Sequence, residues 1–107
     1  TAGLNCVVDV YNNYTSDWSE IDVWNIGSSD NFDTTYYTYA QWKIIPNGDG
    51  SYRLTCKASQ DSKFLDCYYG YTDDNTQVIQ YSWNGDPNMR WILEPVTNVQ
   101  IKYDEGY

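Results

Sequence analysis

The sequence predicts a single all-β domain, and three observations support this fold class. Turn-forming residues (Asn, Asp, Ser, Thr and Gly) are frequent throughout the chain. The segments between them are short and rich in β-branched and aromatic residues, which favour strands. No segment shows the apolar period of a helix. A length of 107 residues allows one hydrophobic core and is too short for two independent domains.

Short segments bounded by turn signals predict eight strands. They cover residues 6–11, 20–24, 41–45, 52–56, 64–68, 77–83, 90–93 and 99–103. Short strands at such close intervals are typical of a β-sandwich or a β-barrel. The longest segment without a clear period, residues 25–39, is interpreted either as a binding loop or as a solvated insertion.

Charge and residue content argue against several functional classes. The net charge is −9, whereas nucleic acids and anionic membrane surfaces bind basic proteins. The chain contains no histidine, which excludes Ser-His-Asp and Cys-His catalysis and His-ligated zinc. No run of about 18 apolar residues is present, so no membrane insertion is expected. We therefore expect a protein that is not an enzyme and that needs no cofactor or metal.

The aromatic residues are mainly those that suit a ligand-contacting surface. The chain has 12 Tyr and 5 Trp against 2 Phe. Tyr and Trp combine an apolar ring with a polar tip, so they serve half-buried positions beside a ligand. Trp18 and Trp83 lie in polar contexts, where they are expected to be exposed or half-buried.

Two landmarks occur twice along the chain, in the same order. The first is an aspartate followed 15 positions later by an aromatic residue, as in Asp9 with Trp24 and Asp66 with Tyr81. The second is the pattern Trp-x-x-x-Pro, which begins at Trp42 and again at residue 91. The offset between copies is 57 residues for the first landmark and 49 for the second. The longer loop at 25–39 accounts for the difference, so the chain contains an internal repeat.

At these residues the sequence resembles the ricin-B-type lectins, which are carbohydrate-binding modules with a β-trefoil fold. The resemblance is closest over residues 50–93, where the family's four pieces follow in order. These pieces are residues 50–54, 63–66, 78–81 and 88–91, with Met89 in place of the family glutamine. Residues 5–45 match more loosely, since the turn at 39–42 lacks both the Asn and the Gln of the family.

The resemblance implies a β-trefoil-like fold of the ricin-B type that is incomplete or permuted. A trefoil has three repeats of four strands, and this chain has two recognisable repeats in one domain spanning 1–107. Repeat one covers about 5–49, repeat two about 50–96, and an extra strand lies within 97–107. Either the chain is a shortened or permuted relative, or a protein partner or oligomer completes the fold. The residues expected in the core are Trp42, Trp91, Leu54, Leu65, Val8, Ile44 and Leu93.

The resemblance also assigns two carbohydrate sites. In the family, the aspartate accepts hydrogen bonds from two sugar hydroxyls, an aromatic ring stacks on the sugar, and the asparagine of the closing turn adds a polar contact. The better site consists of Asp66, Tyr81 and Asn88. The second site consists of Asp9 and Trp24 with Asp22 nearby. The expected ligand is a galactose- or glucose-type glycan.

Three cysteines raise the question of a disulfide. Cys56 and Cys67 flank a loop between predicted antiparallel strands and are expected to pair, which leaves Cys6 without an assigned partner. A disulfide and an acidic, Tyr-rich surface favour a secreted, extracellular protein. The first five residues lack the features of a signal peptide, so we expect a mature form or an excised domain.

A protein-interaction module on the same scaffold is the alternative function. Such a module would be a protease inhibitor, a toxin subunit or an assembly component that binds no sugar. Its contact surface would be the loop at 25–39, which carries Phe32, Tyr36, Tyr37 and Tyr39.

Overall fold

The computed structural model describes residues 6–25 and 35–94, and in these ranges the protein is all-β. These two ranges contain six strands: β1 Cys6–Val10, β2 Ile21–Asn25, β3 Trp42–Pro46, β4 Tyr52–Cys56, β5 Lys63–Cys67 and β6 Val78–Ser82. Short 3₁₀ turns connect them at Tyr11–Asn13, Thr38–Ala40, Lys57–Ser59, Tyr68–Gly70 and Pro87–Met89. Within the described ranges no helix is both long and apolar enough to cross a bilayer.

The strands form two antiparallel sheets that are joined at one bridge. β1 and β2 form a hairpin, and the second sheet has the order β3-β4-β5-β6. The bridge between Glu20 and Ile79 connects the end of the hairpin loop to β6. The two β-hairpins, β1-β2 and β5-β6, thus lie side by side in a repeated arrangement.

An equivalent hydrogen bond is present in each of two units. The first unit is the β1-β2 hairpin with the turn before Trp42, and the second is the β5-β6 hairpin with the turn before Trp91. The indole nitrogen of Trp42 donates to the carbonyl oxygen of Val8 at 3.0 Å. In the second unit, the indole nitrogen of Trp91 donates to the carbonyl oxygen of Leu65, also at 3.0 Å. Each acceptor precedes the aspartate of its unit. The indoles therefore fix the distance between the closing turn and the strand that carries the aspartate.

The hydrophobic core lies between the two units. Val10, Ile21 and Cys56 form its buried cluster, and Trp42 and Leu65 are among the partly buried residues that pack against it. This shared core links the β1-β2 hairpin to the four-stranded sheet β3-β4-β5-β6.

The structure corrects the predicted core at two positions. Val8 is 50% exposed and Leu93 is 42% exposed. Val8 lies directly opposite Val23, which is 67% exposed. This pair lies two residues along the hairpin from Val10 and Ile21, which belong to the buried cluster, so the core ends before it.

The last two predicted strands, 90–93 and 99–103, are not among the six strands of the described residues. Residues 90–93 do not form a strand, because only Trp91 makes a β-bridge, with Tyr52. The predicted strand at 99–103 lies outside the described residues, as does the extra segment 97–107. The repeat boundaries at 5–49 and 50–96 therefore stay a prediction.

The predicted disulfide between Cys56 and Cys67 is wrong. In the register of β4 and β5, Thr55 lies opposite Phe64, so Cys67 is displaced by four positions from the residue opposite Cys56. Four positions correspond to about 13 Å along a strand, whereas a disulfide needs Cα atoms within about 7 Å. The Cys56 thiol instead donates to the carbonyl oxygen of Thr38 at 3.5 Å.

Candidate functional site

A cavity of about 260 Å³ lies on one face of the β5-β6 hairpin and contains all three residues of the better predicted site. Asp66 pairs with Ile79, and Tyr81 follows two residues later in β6. Because side chains two residues apart in a strand share a face, Asp66 and Tyr81 are diagonal neighbours. The pairing register thus brings the carboxylate and the ring to the same cavity.

Asn88 reaches the cavity from the 3₁₀ turn Pro87–Met89. Its side-chain nitrogen donates to Asp66 Oδ1 at 2.6 Å and to the carbonyl oxygen of Cys67 at 3.1 Å. Both amide protons have acceptors in this arrangement, so the amide oxygen is the group that remains to accept a ligand donor. Gly70, at φ +68°, lies against Asn88, and a Cβ there would approach the Asn88 Cβ to 3.6 Å.

Asp66 is held in a weakly solvated position. Only 5% of its surface is exposed. Burial raises the pKa of Asp66 to about 6, the hydrogen bond from Asn88 acts against this rise, and the charge of Asp86 adds to it. Near pH 7 the carboxyl group is therefore mostly ionised, and its oxygens can accept hydrogen bonds from hydroxyl groups.

Three aromatic rings line the same cavity. Tyr81 and Tyr69 come from the second unit, and Trp18 comes from the loop between β1 and β2. The ring centroids of Trp18 and Tyr81 lie 4.8 Å apart at an interplanar angle of 69°. Those of Trp18 and Tyr69 lie 5.3 Å apart at 45°. The cavity thus has apolar faces in more than one orientation.

The second predicted site also lies around one cavity, of about 270 Å³. Asp9 is directly opposite Asp22 in the hairpin, and Trp24 follows two residues later. The register therefore repeats that of Asp66 and Tyr81. Additional lining comes from Tyr11, Asn12, Asn13, Tyr36, Tyr37 and Tyr39.

The two cavities differ in the pKa of their buried aspartates. Asp9 is 4% exposed, and its pKa is raised to about 7. Burial is the largest cause, and a hydrogen bond with Asp22 and the charge of Asp22 add to it. Asp9 Oδ1 and Asp22 Oδ1 are buried without a hydrogen-bond partner. Near neutral pH the pair retains a proton for part of the time, so Asp9 is a weaker acceptor than Asp66.

A tyrosine takes the position of the missing asparagine in the first unit. Tyr39 precedes Asn88 by 49 residues, the offset of the closing turns, and it lines the cavity of Asp9. Its ring contacts that of Tyr37 at 5.9 Å, and Tyr37 contacts Tyr36 at 4.9 Å. The described part of the segment 25–39 therefore contributes three rings to this cavity, while Phe32 lies outside the described residues.

Sequence reasoning did not place Trp18 or Tyr69 at the better site. The repeat gives no signal for either residue. Tyr69 matches Asn12 of the first unit, and Trp18 matches Asn75 of the second unit. Trp83 is half-buried, with the guanidinium groups of Arg53 and Arg90 at 5.0 and 5.5 Å from its ring.

The described residues contain no cluster of three or more His, Cys, Asp or Glu side chains that would hold a metal ion. Asp9 and Asp22, which lie opposite each other in the β1-β2 hairpin, are a pair of carboxylates and not such a cluster.

Comparisons with known proteins agree with this architecture. The family model described as "Ricin-type beta-trefoil lectin domain-like" matches residues 2–81 and, in a second match, residues 38–104. The crystal structure of ThreeFoil, a designed three-fold symmetric protein, is similar with a TM-score of 0.70 and 27% sequence identity. The similarity covers 89% of this chain and 66% of ThreeFoil, so the chain spans just under two thirds of that structure. No curated protein matches the sequence.

Proposed function

The chain belongs to the ricin-type β-trefoil lectin-like family, and on this basis we propose that it binds a carbohydrate in the cavity of Asp66, Tyr81 and Asn88. The observation that carries this proposal is a buried carboxylate beside an aromatic ring on one face of a hairpin. A pyranose has a rim of hydroxyl groups and a patch of C–H bonds. The carboxylate accepts from the hydroxyls, and the ring covers the C–H patch.

The expected ligand is a galactose- or glucose-type glycan, bound without chemical conversion. The cavity of about 260 Å³ offers carboxylate, amide and aromatic groups, which suit the hydroxyl groups and the C–H patch of a sugar. The cavity of Asp9, Asp22 and Trp24 is a second, weaker site in this proposal. Two weak sites on one chain gain affinity for a polysaccharide through avidity.

Titration calorimetry with galactose and glucose at millimolar concentrations tests the proposal. We expect the double variant Asp66→Ala, Tyr81→Ala to lose the stronger binding event. A matched variant in the other cavity, Asp9→Ala with Trp24→Ala, should keep it. Circular dichroism of both variants checks that the fold is intact. Unchanged binding in the Asp66 variant, or no binding by the unmodified protein, would overturn the proposal.

Protein interaction is the second candidate function, and it is favoured by exposed rings around the cavity of Asp9 and Asp22. Tyr36 is 66% exposed and Trp24 is 53% exposed, and both line that cavity. Exposed tyrosine and tryptophan are typical of protein contact surfaces. If the protein binds no sugar on a glycan array, and a protein partner is found whose binding requires Tyr36, this function is favoured over sugar binding.

A secreted, extracellular location is retained as a proposal, supported by the acidic, tyrosine-rich composition. The cysteines lend it no support, since Cys56 and Cys67 are not joined.

A further inference from the structure

We propose that Trp18 extends the sugar cavity of the second unit so that it holds two consecutive sugar rings of an oligosaccharide. This inference rests on the proposed function. In it, the first sugar lies on Tyr81 and bonds to Asp66, and the second sugar lies against the indole of Trp18. Trp18 is then the residue that makes the site prefer a disaccharide to a monosaccharide.

The orientation of the rings is the main support. Trp18 and Tyr81 meet edge to face at an angle of 69°, so their flat surfaces point in different directions. A single pyranose can lie parallel to only one of two ring surfaces that are inclined at 69°. Trp18 is 46% exposed and lines the cavity together with Asp66 and Asn88. A second sugar, linked to the first, is the ligand that would cover the remaining surface.

The loop that carries Trp18 is fixed to β6 by buried groups. The Trp18 amide donates to the carbonyl oxygen of Gln80, and the Gln80 amide donates to that of Ser19, both at 2.9 Å. The side-chain nitrogen of the fully buried Gln80 donates to the carbonyl oxygens of Tyr14 and Ser16 at 3.0 Å. The indole is therefore positioned before a ligand arrives, which lowers the entropy cost of binding.

A second attachment holds the same loop. Asp17 Oδ1 accepts from the backbone amide of Ser82 at 2.8 Å and from the Lys63 ammonium group at 2.8 Å. Asp17 and Trp18 are neighbours, so the residue beside the indole is anchored to β5 and β6 together. A loop fixed at this many points carries its ring as a rigid part of the cavity.

The backbone conformation at Trp18 points to a functional constraint. Trp18 has φ +72°, in the left-handed region that bulky residues rarely adopt. The matching residue of the second unit, Asn75, has φ +66°. Asparagine enters this region easily, whereas tryptophan enters it at a cost. The first unit thus carries a strained tryptophan where the second unit carries a well-suited asparagine, and the tryptophan faces the sugar cavity.

Asn75 supplies a matched variant, Trp18→Asn, which places a residue suited to this backbone at position 18. Trp18→Phe keeps an aromatic ring and serves as the conservative variant. For the unmodified protein we expect a disaccharide to bind about five-fold more tightly than its terminal monosaccharide. In Trp18→Asn the preference should disappear, so that the two affinities become equal. Trp18→Phe should retain most of the preference.

Calorimetry with the monosaccharide, its methyl glycoside and the disaccharide measures this preference, and thermal unfolding verifies that each variant is folded. A purely structural role of Trp18 would weaken binding of both sugars by the same factor and leave their ratio unchanged, which would overturn the inference. An unmodified protein that binds both sugars equally would overturn it as well, with the proposed function intact. Loss of both affinities in Asp66→Asn supports the proposed function separately, whereas an unmodified protein that binds no sugar would overturn both.

Discussion

Replacing Asp66 by Asn should stabilise the fold and abolish sugar binding at the same time. Asn has the shape of Asp and keeps an oxygen that accepts from Asn88, whose nitrogen lies 2.6 Å from Asp66 Oδ1. It removes the negative charge that burial and Asp86 disfavour. The unfolded chain does not have this unfavourable environment, so the removal of the charge benefits the folded state alone.

The size of the effect follows from the pKa of Asp66. That pKa is about 6 in the folded protein, whereas the ordinary pKa of an aspartate is 3.8. One pKa unit corresponds to about 1.36 kcal/mol, which sets an upper limit of about 3 kcal/mol. Solvent at the cavity mouth screens part of the interaction, so we expect Asp66→Asn to raise the free energy of unfolding by about 1–2 kcal/mol at pH 7.5.

The pH dependence gives the sign of the same effect. Between about pH 4 and pH 6 the folded protein holds a proton on Asp66 that the unfolded chain releases. The contribution of Asp66 to the free energy of unfolding therefore falls as the pH rises from about 4 to about 6, and it stays constant above pH 6. The stability difference between the Asp66→Asn variant and the unmodified protein should grow from near zero at pH 4 to its full value above pH 6. Sugar binding should weaken below pH 6, because the proton occupies the acceptor.

Urea unfolding of both proteins at pH 4, 5, 6 and 7.5 measures this difference directly. Asp73→Asn is the matched control, since Asp73 is an exposed residue of a turn. A stability difference that is constant with pH, or a variant less stable than the unmodified protein at pH 7.5, would refute the reasoning. So would sugar binding that is retained by the variant.

Three further predictions concern the structure that supports the site. Gln80→Leu should lower the free energy of unfolding by about 1–2 kcal/mol in urea, because it removes the two side-chain hydrogen bonds to the carbonyl oxygens of Tyr14 and Ser16; a change below about 0.5 kcal/mol would contradict this. Trp42→Phe and Trp91→Phe should each cost about 1–2 kcal/mol through loss of the indole hydrogen bond, and equal stability of either variant would argue against its role. Cys56 should resist thiol reagents until the protein unfolds, because burial raises its pKa to about 11, and a reductant should leave the melting temperature unchanged, since Cys56 and Cys67 are not bonded.

The internal repeat made much of the site predictable. An aspartate and an aromatic residue 15 positions apart, as in Asp66 and Tyr81, were expected to meet, and the hairpin register brings them to one face. The same holds for Asp9 and Trp24. Local spacing suffices here because the two strands of a hairpin are neighbours in sequence and their side chains alternate with a fixed period.

Features that depend on contacts between the units were not predictable in this way. Trp18 reaches the cavity of Asp66 because its loop is hydrogen-bonded to Gln80 of β6, and no pattern around Trp18 reveals that contact. The disulfide failed for a related reason. Proximity of Cys56 and Cys67 was expected from antiparallel strands, but the actual register displaces them by four positions. Register between strands depends on packing of the whole sheet, which a single segment does not report.

The attachment of the Tyr14 to Ser19 loop to β6 has a consequence for the chain as a folding unit. The loop belongs to the first hairpin, yet its backbone partners lie on Gln80 and its anchor at Asp17 binds Lys63. Neither half contains everything it needs to become ordered. Cleavage in the exposed turn at 48–50 should thus give two fragments that are unstructured apart and recover a fold when mixed, and only the mixture would regain a complete cavity.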